Sequence, residues 1–380
     1  MIDKKLRIAA FGGFRSIPPE EGAAGSDKFA YELYPRLVKK GHSLTIYSRL
    51  YPGQKSKLSK EYKGVHQVYF RTINKAGFDT LIHSFKATFH IIFRDTADIV
   101  HIHSGANSLW ALFLRLSKKK VFISQFAMDW KRDKWPWYGK LFYLISNYLT
   151  AYIPNAVIFD NIFNKKFFEN KFKKRFYFIP YGAEVPAPQT DTIIIRKLGL
   201  SENEYFLFIG RFIPDKGIHF LLEAFKRIDT NKKLVLVGGS PNPSSYEVKL
   251  KETSDKRIVF PGYIYGDDVN VLIKNAYIYV QPSLIEGLSP VILTVMGLGT
   301  PLICSDIREN TYIVKENATL FKAGSVDDLY QKLTYSLVEH EKLKEKAGSG
   351  KKDILNRFNW DSITDQFIDI FQGKTGKEND

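Results

Sequence analysis

The chain has 380 residues, of which 44% are hydrophobic and 25% are charged. This length and this apolar content exclude a disordered or fibrous chain and suit two globular domains. The net charge of +16 favours an anionic partner, which would be nucleic acid, an anionic membrane or a phosphorylated substrate, with general solubility as the alternative.

The first half of the chain alternates strand-like and helix-like segments, which is typical of the α/β class. A buried strand over Leu6–Ala10 leads into a turn containing Gly12 and Gly13, and apolar residues at helical spacing then predict a helix over Lys28–Lys40. Further strands are predicted at Ser43–Ser48, Asp98–His103, Val121–Gln125, Ala156–Phe159 and Phe176–Pro180. A strand, a glycine-rich loop, a helix and a second strand form the first unit of a doubly wound sheet.

The run GAEVPAPQTDT at 182–192 predicts an interdomain linker, after which the alternation restarts. The elements predicted there are Phe206–Ile209, Ile218–Arg227, Lys233–Val237, Arg257–Phe260, Asp267–Asn275, Ile278–Gln281, Pro290–Leu298, Pro301–Cys304, a long helix Val326–Lys346 and an amphipathic segment Trp360–Phe371. We therefore expect an N-terminal domain at 1–183, a C-terminal domain at 184–355, a helix at 356–372 that packs back toward the first domain, and a flexible tail at 373–380. Two such halves place a ligand cleft at the carboxyl ends of their strands.

The cysteine content and the hydropathy bear on the compartment. Cys304 is the only cysteine in the sequence, so no disulfide within the chain and no cysteine-based metal site is expected, as is typical of the reducing cytoplasm. The first apolar run is too short for the core of a signal peptide, and no stretch of about 18 apolar residues predicts a spanning helix. We expect a cytoplasmic protein.

Two basic residues follow the strand Phe206–Ile209. Arg211 comes directly after Gly210, and Lys216 comes five residues later, before a predicted helix. A guanidinium that binds two oxygens and an ammonium that acts as a point charge suit a diphosphate. Alone the pattern is weak, because ordinary surface charges also produce it.

A second segment strengthens that interpretation. The run PSLIEGLSP at 282–290 precedes a helix whose first residue, Pro290, is favoured at that position. The helix N-terminus supplies free N–H groups for an anion, and Gly287 permits amides to face a ligand. Glu286 is placed to accept hydrogen bonds from sugar hydroxyls, with capping of the turn as the alternative reading.

The succession GRFIPDKGIHFLLEAF, LVLVGGS, IVFPGYI, NAYIYVQPSLIEGLSPVIL and GTPLICSD resembles the family 4 glycosyltransferases of the GT-B fold, over essentially the whole C-terminal half. The resemblance implies two Rossmann-like domains facing each other across a cleft. It also implies that Arg211 and Lys216 hold the diphosphate of a nucleotide sugar and that Glu286 contacts the transferred sugar. The implied donor-binding residues are Gly210, Tyr263 near the nucleobase, Gly287, Leu288, Ser289 and Thr294.

The N-terminal half is similar to the same family through weaker motifs. The run GGFRSIPPEEGAAGSDKFAYEL resembles the glycine-rich loop that covers the phosphates and the acceptor side, whose candidates are Gly22, Ala23, Ala24, Gly25 and Ser26; a turn needed only for packing is the alternative. The run DIVHIHS resembles a family strand. Its two histidines share one face by alternation, with His101 expected in the core and His103 on the acceptor side.

The segment DWKRDKW resembles one found in enzymes that build bacterial surface polysaccharides. The resemblance places Asp129, Lys131 and Arg132 on the acceptor side, and a solvated loop is the alternative. Basic and aromatic residues also alternate in KRDKWPWYGKLFYLISNYL and NKKFFENKFKKRFYF. This composition suits an anionic membrane surface, where a lipid-linked glycan would be extended, unless it is a solvated basic face over core aromatics.

Two positions depart from the family pattern. Thr294 stands where the second glutamate of E-x7-E usually binds ribose hydroxyls, which points toward a deoxyribose donor such as a dTDP-sugar, although Thr also bonds to ribose. Phe126 stands where relatives often carry His, and Phe cannot donate a hydrogen bond; Gln125 is the neighbouring polar residue.

The resemblance therefore implies a retaining hexosyl- or deoxyhexosyltransferase that moves a sugar from a UDP-, GDP- or dTDP-sugar to a glycan or lipid-linked glycan in surface polysaccharide biosynthesis. No metal or other cofactor is expected, since the sequence has no DxD motif in a suitable place and no cluster with ligand spacing. We expect Asp267 and Asp268 to cap a helix. We expect a peripheral position at the inner face of the membrane.

Two other classes of function remain as alternatives. A non-catalytic family 4 homologue would act as partner or scaffold of another transferase, in keeping with Phe126 and Thr294. A nucleic-acid-binding protein would use the same basic and aromatic surface, but no nucleic-acid motif supports it, so we expect no nucleic-acid partner.

Overall fold

The computed structural model describes residues 5–18, 25–52, 59–73, 75, 78–126, 137–183, 192–240 and 244–374. The chain forms two compact units. One consists of Met1–Tyr181 and Trp360–Asp380, and the other of Gly182–Asn359. Within the described residues, no helix combines the length and the apolar character needed to cross a bilayer.

Strands and helices alternate along the chain. The strands are β1 Arg7–Phe11, β2 Ser43–Leu50, β3 Glu61–Tyr62, β4 Val65–Arg71, β5 Ile99–His103, β6 Lys120–Gln125, β7 Ala156–Phe159, β8 Tyr177–Phe178, β9 Tyr205–Arg211, β10 Lys233–Gly239, β11 Ile258–Gly262, β12 Ile278–Gln281, β13 Leu302–Ser305 and β14 Thr319–Phe321. The helices are α1 Gly25–Lys39, α2 Phe78–Phe93, α3 Ser108–Leu116, α4 Trp137–Tyr152, α5 Ile162–Phe172, α6 Ile193–Lys197, α7 Ile218–Arg227, α8 Ser245–Lys251, α9 Asp267–Lys274, α10 Pro290–Leu298, α11 Arg308–Val314, α12 Val326–Val338, α13 His340–Arg357 and α14 Trp360–Gln372.

The first unit is built on an eight-stranded sheet in the order β3-β4-β2-β1-β5-β6-β7-β8. The strands pair in parallel except for β3, which is antiparallel to β4. Right-handed crossovers place α2, α3, α4 and α5 on one face of this sheet and α1 on the other. Helix α14 packs against α1 through the rings of Phe367 and Phe29, whose centroids are 5.6 Å apart.

The amphipathic pattern of α14 explains why this last helix joins the first unit. Its buried residues recur at helical spacing and include Trp360, Ile363, Phe367 and Phe371. Phe371 also contacts His101 on β5, with ring centroids 5.3 Å apart. Burial of this apolar stripe on the face that carries α1 ties the end of the chain to the sheet of the first unit.

The second unit has a six-stranded parallel sheet in the order β11-β10-β9-β12-β13-β14. Its core includes Phe206, Phe208, Val280 and Ile303 from the central strands, all fully buried. The strand order reverses between β9 and β12. In doubly wound sheets, the carboxyl edge at such a reversal is where ligands bind.

The long helix predicted over Val326–Lys346 is wrong, because the structure has two helices, α12 and α13, that meet at Glu339. In a continuous helix the carbonyl of Ser336 would accept the N–H of His340. Here that carbonyl accepts the Tyr277 hydroxyl at 2.6 Å, and the His340 ring stacks on Tyr277 with centroids 3.9 Å apart. Packing against Tyr277 therefore interrupts the helix.

Candidate functional site

Four strands of the second unit end side by side at one edge. Their last residues are Arg211 on β9, Gly239 on β10, Gly262 on β11 and Gln281 on β12. Because all four strands run in parallel, the segments that follow them share the carboxyl edge. The diphosphate and sugar candidates of the sequence, Arg211, Lys216 and Glu286, belong to these segments.

A close backbone approach holds two of the segments together. Gly217 has φ +64°, and a Cβ there would lie 2.1 Å from the carbonyl oxygen of Pro282. Leu284 donates its N–H to the carbonyl of Asp215 at 2.8 Å. Only glycine fits this left-handed conformation against Pro282 without strain, so the residue fixes Lys216 beside the loop that carries Glu286.

Glu286 is the centre of a buried polar cluster. Its Oε1 accepts hydrogen bonds from Lys216 Nζ at 2.6 Å, Ser283 Oγ at 2.7 Å and Gln281 Nε2 at 2.7 Å. The Tyr279 hydroxyl lies 3.1 Å from Gln281 Oε1 and orients that amide. Among the described residues, no hydrogen bond to Glu286 uses Oε2, so this oxygen keeps its capacity to accept.

The electrostatics keep Glu286 ionised. Burial acts to raise the pKa of Glu286, but the charge of Lys216 and the hydrogen bonds from Lys216, Ser283 and Gln281 outweigh it and lower the pKa below the ordinary value. The Glu286 side chain is 8% exposed. The site therefore holds a buried carboxylate with one oxygen engaged by a cation and one available as an acceptor.

The N-terminus of α10 follows the loop that carries Glu286. Pro290 is its first residue, as predicted, and the preceding residue, Ser289, makes no side-chain cap. The first N–H groups of the helix thus lack a capping side chain, which favours an anionic ligand. Thr294 lies one turn into this helix, buried, and its hydroxyl donates to the carbonyl of Pro290 at 3.1 Å.

The remaining donor candidates surround this edge. Tyr263 follows β11, packs against Gly239, and stacks on Tyr265 with centroids 5.9 Å apart and an interplanar angle of 5°. Gly210 packs closely against Gly238: a Cβ atom added to Gly238 would lie 2.0 Å from the carbonyl oxygen of Gly210. Leu288 is buried, Gly287 is half-buried outside the left-handed region, and Arg211 is exposed at the end of β9. The flat face of a tyrosine pair suits a nucleobase.

The glycine-rich segment of the first unit lies at the carboxyl edge of its own sheet. Gly12 has φ +122°, and a Cβ there would be 2.3 Å from the His103 carbonyl oxygen. Gly25 and Ser26 begin α1, and the Ser26 hydroxyl donates to the Gly13 carbonyl at 2.8 Å. The turn after β1 is thus packed between α1 and the end of β5.

His103 lies in a buried polar cluster beneath this edge. The Tyr34 hydroxyl is 2.5 Å from His103 Nε2 and 3.2 Å from His101 Nδ1, and His101 Nε2 is 2.8 Å from Ser124 Oγ. Burial lowers the pKa of His101 to about 3 and that of His103 well below its ordinary value. Both imidazoles are therefore neutral. His103 is fully buried, so a contact with an acceptor stays a prediction.

Phe126 occupies an aromatic cluster with Phe29, His103 and Tyr181, at centroid distances of 5.3, 5.3 and 5.7 Å. The neighbouring polar residue is Gln125. It is buried, and its Oε1 accepts the N–H of Gly105 at 2.6 Å.

Two features of the carboxyl edge of the first unit's sheet were not predicted from the sequence. Asp160 directly follows β7, next in register to Phe126, and is buried, with no hydrogen-bond partner for Oδ1 among the described residues. Burial raises the pKa of Asp160 well above its ordinary value. Ser104 follows β5 with φ +73°, unusual for a residue with a side chain. A polar residue directly after an apolar strand was the signal available for both.

Six candidates lie outside the described residues, namely Gly22, Ala23, Ala24, Asp129, Lys131 and Arg132. Within the described part, no three His, Cys, Asp or Glu side chains group in a way that would hold a metal ion. Asp267 and Asp268 lie in the first turn of α9, whose N-cap is Gly266, so the expectation that they cap the helix is wrong. They suit the positive end of the helix dipole instead.

The second unit is similar to a known protein family. Residues 203–338 match the family model described as glycosyl transferases group 1. O-antigen chain mannosyltransferase B of Escherichia coli is 25% identical over 185 residues, covering 47% of this chain and 48% of that protein. UDP-Gal:alpha-D-GlcNAc-diphosphoundecaprenol alpha-1,3-galactosyltransferase of Escherichia coli is 28% identical over 214 residues, covering 52% and 54%. The chain spans about half the length of the curated relatives it matches.

The structure of Anabaena HepE in complex with UDP and glucose superposes with a TM-score of 0.79 at 15% identity, covering 97% of this chain and 100% of that one. At this identity the likeness shows the fold. Together with the two mainly parallel sheets, it confirms the predicted fold class of two α/β domains. The chain has the GT-B fold, and its residues 203–338 match the group 1 glycosyltransferase family model.

Proposed function

We propose that this protein is a retaining glycosyltransferase that moves a sugar from a nucleotide sugar to a hydroxyl of a glycan or lipid-linked glycan in surface polysaccharide biosynthesis. The observation that carries the proposal is the buried Lys216–Glu286 pair beside the N-terminus of α10, within the group 1 region. Relatives named for O-antigen mannosyl transfer and for galactosyl transfer to a diphosphoundecaprenol-linked sugar support the pathway. A neighbour in complex with UDP supports the donor class.

Each residue has a distinct role in this proposal. Arg211 and the free N–H groups of α10 bind the diphosphate, since both present donors at the carboxyl edge. Lys216 contributes its remaining N–H groups to the same phosphate while it holds Glu286 Oε1. Glu286 Oε2 accepts a hydrogen bond from a hydroxyl of the transferred sugar.

The chemistry follows from that arrangement. The acceptor oxygen forms a bond to the anomeric carbon, and the bond from that carbon to the nucleoside diphosphate breaks. The hydroxyl proton passes to the departing phosphate oxygen on the same face of the sugar, which retains the configuration. Positive groups at the edge stabilise the charge on the leaving phosphate, and losing one such group typically costs about 2.7–4 kcal/mol of barrier. The step uses no metal ion.

The donor is a UDP-, GDP- or dTDP-sugar, and the transferred group is a hexosyl or deoxyhexosyl residue. Tyr263 and Tyr265 offer a face to the base. Thr294 is shorter than the glutamate usual at its position, and its hydroxyl already donates to Pro290. The site therefore offers the ribose one hydrogen-bond acceptor fewer than a glutamate would, which favours a nucleotide sugar that contains deoxyribose. We place the enzyme at the inner face of the membrane as a peripheral protein, where a lipid-linked acceptor is available.

Release of nucleoside diphosphate from a panel of UDP-, GDP- and dTDP-sugars tests the proposal, together with thermal unfolding in the presence of each donor. A donor at about 100 times its dissociation constant adds roughly 2.7 kcal/mol to the free energy of unfolding. We expect one donor to stabilise the protein and to be hydrolysed slowly, with hydrolysis lost in Glu286→Gln. Stabilisation without release, even with a glycan acceptor present, would instead identify a non-catalytic homologue.

A further inference from the structure

Exposed apolar side chains concentrate in one part of the first unit. Of the 23 large apolar side chains that are exposed among the described residues, 15 lie on α2, α3, α4 and α5, and none lies on α1 or α14. Eight of them are between 50% and 76% exposed, namely Phe78, Phe85, Phe93, Leu116, Trp137, Ile145, Tyr148 and Tyr152. Scattered apolar residues are normal on a surface, but a concentration on one side marks an interaction site.

These four helices form one continuous layer. Each of these helices lies in a right-handed crossover between two parallel strands, and the four crossovers run in the same direction along the sheet, so the helices cover the same face. Helix α2 packs on α3 and α3 packs on α4. Tyr148 on α4 contacts Phe172 on α5, with ring centroids 5.2 Å apart. The exposed side chains therefore lie on the outer surface of a single layer of helices.

The α4–α5 part of this layer, together with the segment that follows α5, is basic. From Trp137 to Phe178 the sequence has seven Lys and Arg against Asp160 and Glu169. Asp160 is buried, and Glu169 lies 3.4 Å from Lys165. Lysines also make cation–π contacts with aromatic rings; Lys171 Nζ lies 5.7 Å from the ring centre of Tyr148. The outer surface thus combines exposed apolar side chains, aromatic rings and a net positive charge.

We propose that the α2–α5 layer docks on an anionic lipid bilayer, with its aromatic and aliphatic side chains in the headgroup region and its lysines at the lipid phosphates. Rings with polar tips and long basic side chains are the groups that favour the membrane interface. The proposal deepens the proposed function, on which its purpose rests, by assigning the membrane contact to one face.

Charge decides against a second copy of the chain, and the apolar area decides against a nucleic acid. A symmetric contact between two copies would place the same basic patch against itself, which is repulsive. A nucleic acid would use the lysines and the rings but would leave aliphatic groups such as Leu116 and Ile145 exposed to water. A bilayer with anionic headgroups satisfies both the charge and the apolar area.

The test is sedimentation of the full-length protein with vesicles of phosphatidylcholine, with or without phosphatidylglycerol, in the absence of any donor. We expect binding to the mixed vesicles at least tenfold tighter than to pure phosphatidylcholine. Charge reversal with Lys166→Glu and Lys171→Glu is expected to weaken it by tenfold or more, since each basic residue near an anionic surface is worth about fivefold. The triple variant Phe93→Ser, Leu116→Ser and Ile145→Ser is expected to weaken it similarly.

Matched controls lie on the second unit. Val248→Ser with Val338→Ser removes exposed apolar groups there, and Lys342→Glu with Lys346→Glu reverses exposed charges; both are expected to bind vesicles like the wild type. Thermal unfolding verifies that each variant folds. Equal binding to both vesicle types, or variants that bind like the wild type, would overturn the proposal.

Two further readouts name the rival occupant. Light scattering that shows a dimer converted to monomer by the triple variant, without vesicle binding, would assign the face to a second copy. Salt-dependent oligonucleotide binding without vesicle binding would assign it to nucleic acid. Because no donor is present, failure of nucleoside diphosphate release leaves this measurement unaffected, and the two proposals fail separately.

Discussion

Replacement of Lys216 by methionine tests the electrostatics of the site without any substrate. The change removes the cation that lies 2.6 Å from Glu286 Oε1 and keeps the length and apolar part of the side chain. Glu286, which is almost completely buried, would then have only the neutral donors Ser283 and Gln281. Loss of one partner of a buried ion pair typically costs about 3–5 kcal/mol, and we expect a loss of that order in the free energy of unfolding at neutral pH.

The pH dependence of this loss has a definite sign. In the wild type the pKa of Glu286 is below its unfolded value, so the pair stabilises the protein above that value and the stabilisation is lost as pH falls through the folded pKa. Without Lys216, burial dominates and raises the pKa above the unfolded value. The variant should then lose stability as pH rises, by up to about 1.4 kcal/mol per pH unit.

Urea unfolding of both proteins between about pH 5 and 8 measures the difference. The double variant Lys216→Met with Glu286→Gln is expected to recover part of the loss and to abolish the added slope. The exposed pair Lys344–Glu341 is the control, since Lys344→Met should change the free energy of unfolding by less than about 1 kcal/mol. A loss below about 1 kcal/mol in Lys216→Met, or a pH slope equal to that of the wild type, would refute the reasoning.

Three further expectations concern the backbone and the first unit. Gly217→Ala should destabilise the protein by more than about 1–2 kcal/mol in urea unfolding, because it adds a clash with Pro282 to the left-handed strain, whereas Gly262→Ala, at φ +81° in open space, should cost the strain alone. Burial keeps the Asp160 carboxyl protonated in the folded protein, so the wild type should lose about 1.4 kcal/mol of stability per pH unit above the unfolded pKa, and Asp160→Asn should remove this loss. An unchanged pH slope in the variant would contradict the burial of Asp160. Because the folded pKa of His101 is about 3, the wild type should lose stability as pH falls below about 6.5, and His101→Phe should reduce this loss by about 1.4 kcal/mol per pH unit. Equal acid sensitivity of both proteins would count against a neutral imidazole.

The sequence predicted strands β9 to β13 and helices α7, α9 and α10 of the second unit because these elements carry local signals, whereas α6, α8, α11 and β14 were not predicted. Helices Ile218–Arg227 and Pro290–Leu298 have the predicted bounds, the latter between a proline at its first residue and Gly299 at φ +74° after its end. The break at Glu339 carries no such signal, since it depends on Tyr277, a residue distant in sequence.

The candidate site was predicted in its residues but not in its contacts. Arg211, Lys216 and Glu286 follow from strand ends and residue type, and separate roles were assigned to Lys216 and Glu286. Their direct pairing spans 70 residues and depends on the approach of Gly217 to Pro282, which no local pattern encodes.

In the first unit, helices α2 to α5 were not predicted as elements. Helix α4 has apolar residues on its outer as well as its inner face, so the alternation that marks an ordinary surface helix is weak there. The same property that obscured the helix in the sequence marks its outer face as an interaction surface. Asp160 escaped notice because burial is a property of the fold rather than of the residue type.

The proposed function depends most directly on binding of a nucleoside diphosphate at the carboxyl edge of the second unit. Isothermal titration of the full-length protein with UDP, GDP and dTDP, on the wild type, Arg211→Gln and the control Arg227→Gln on α7, measures this directly. We expect binding of at least one of them, weakened about 10- to 100-fold in Arg211→Gln, as expected for a hydrogen bond to a charged group worth about 1.5–3 kcal/mol, and unchanged in the control. Binding that is equally strong in Arg211→Gln and the wild type, or no binding of any of the three, would contradict it.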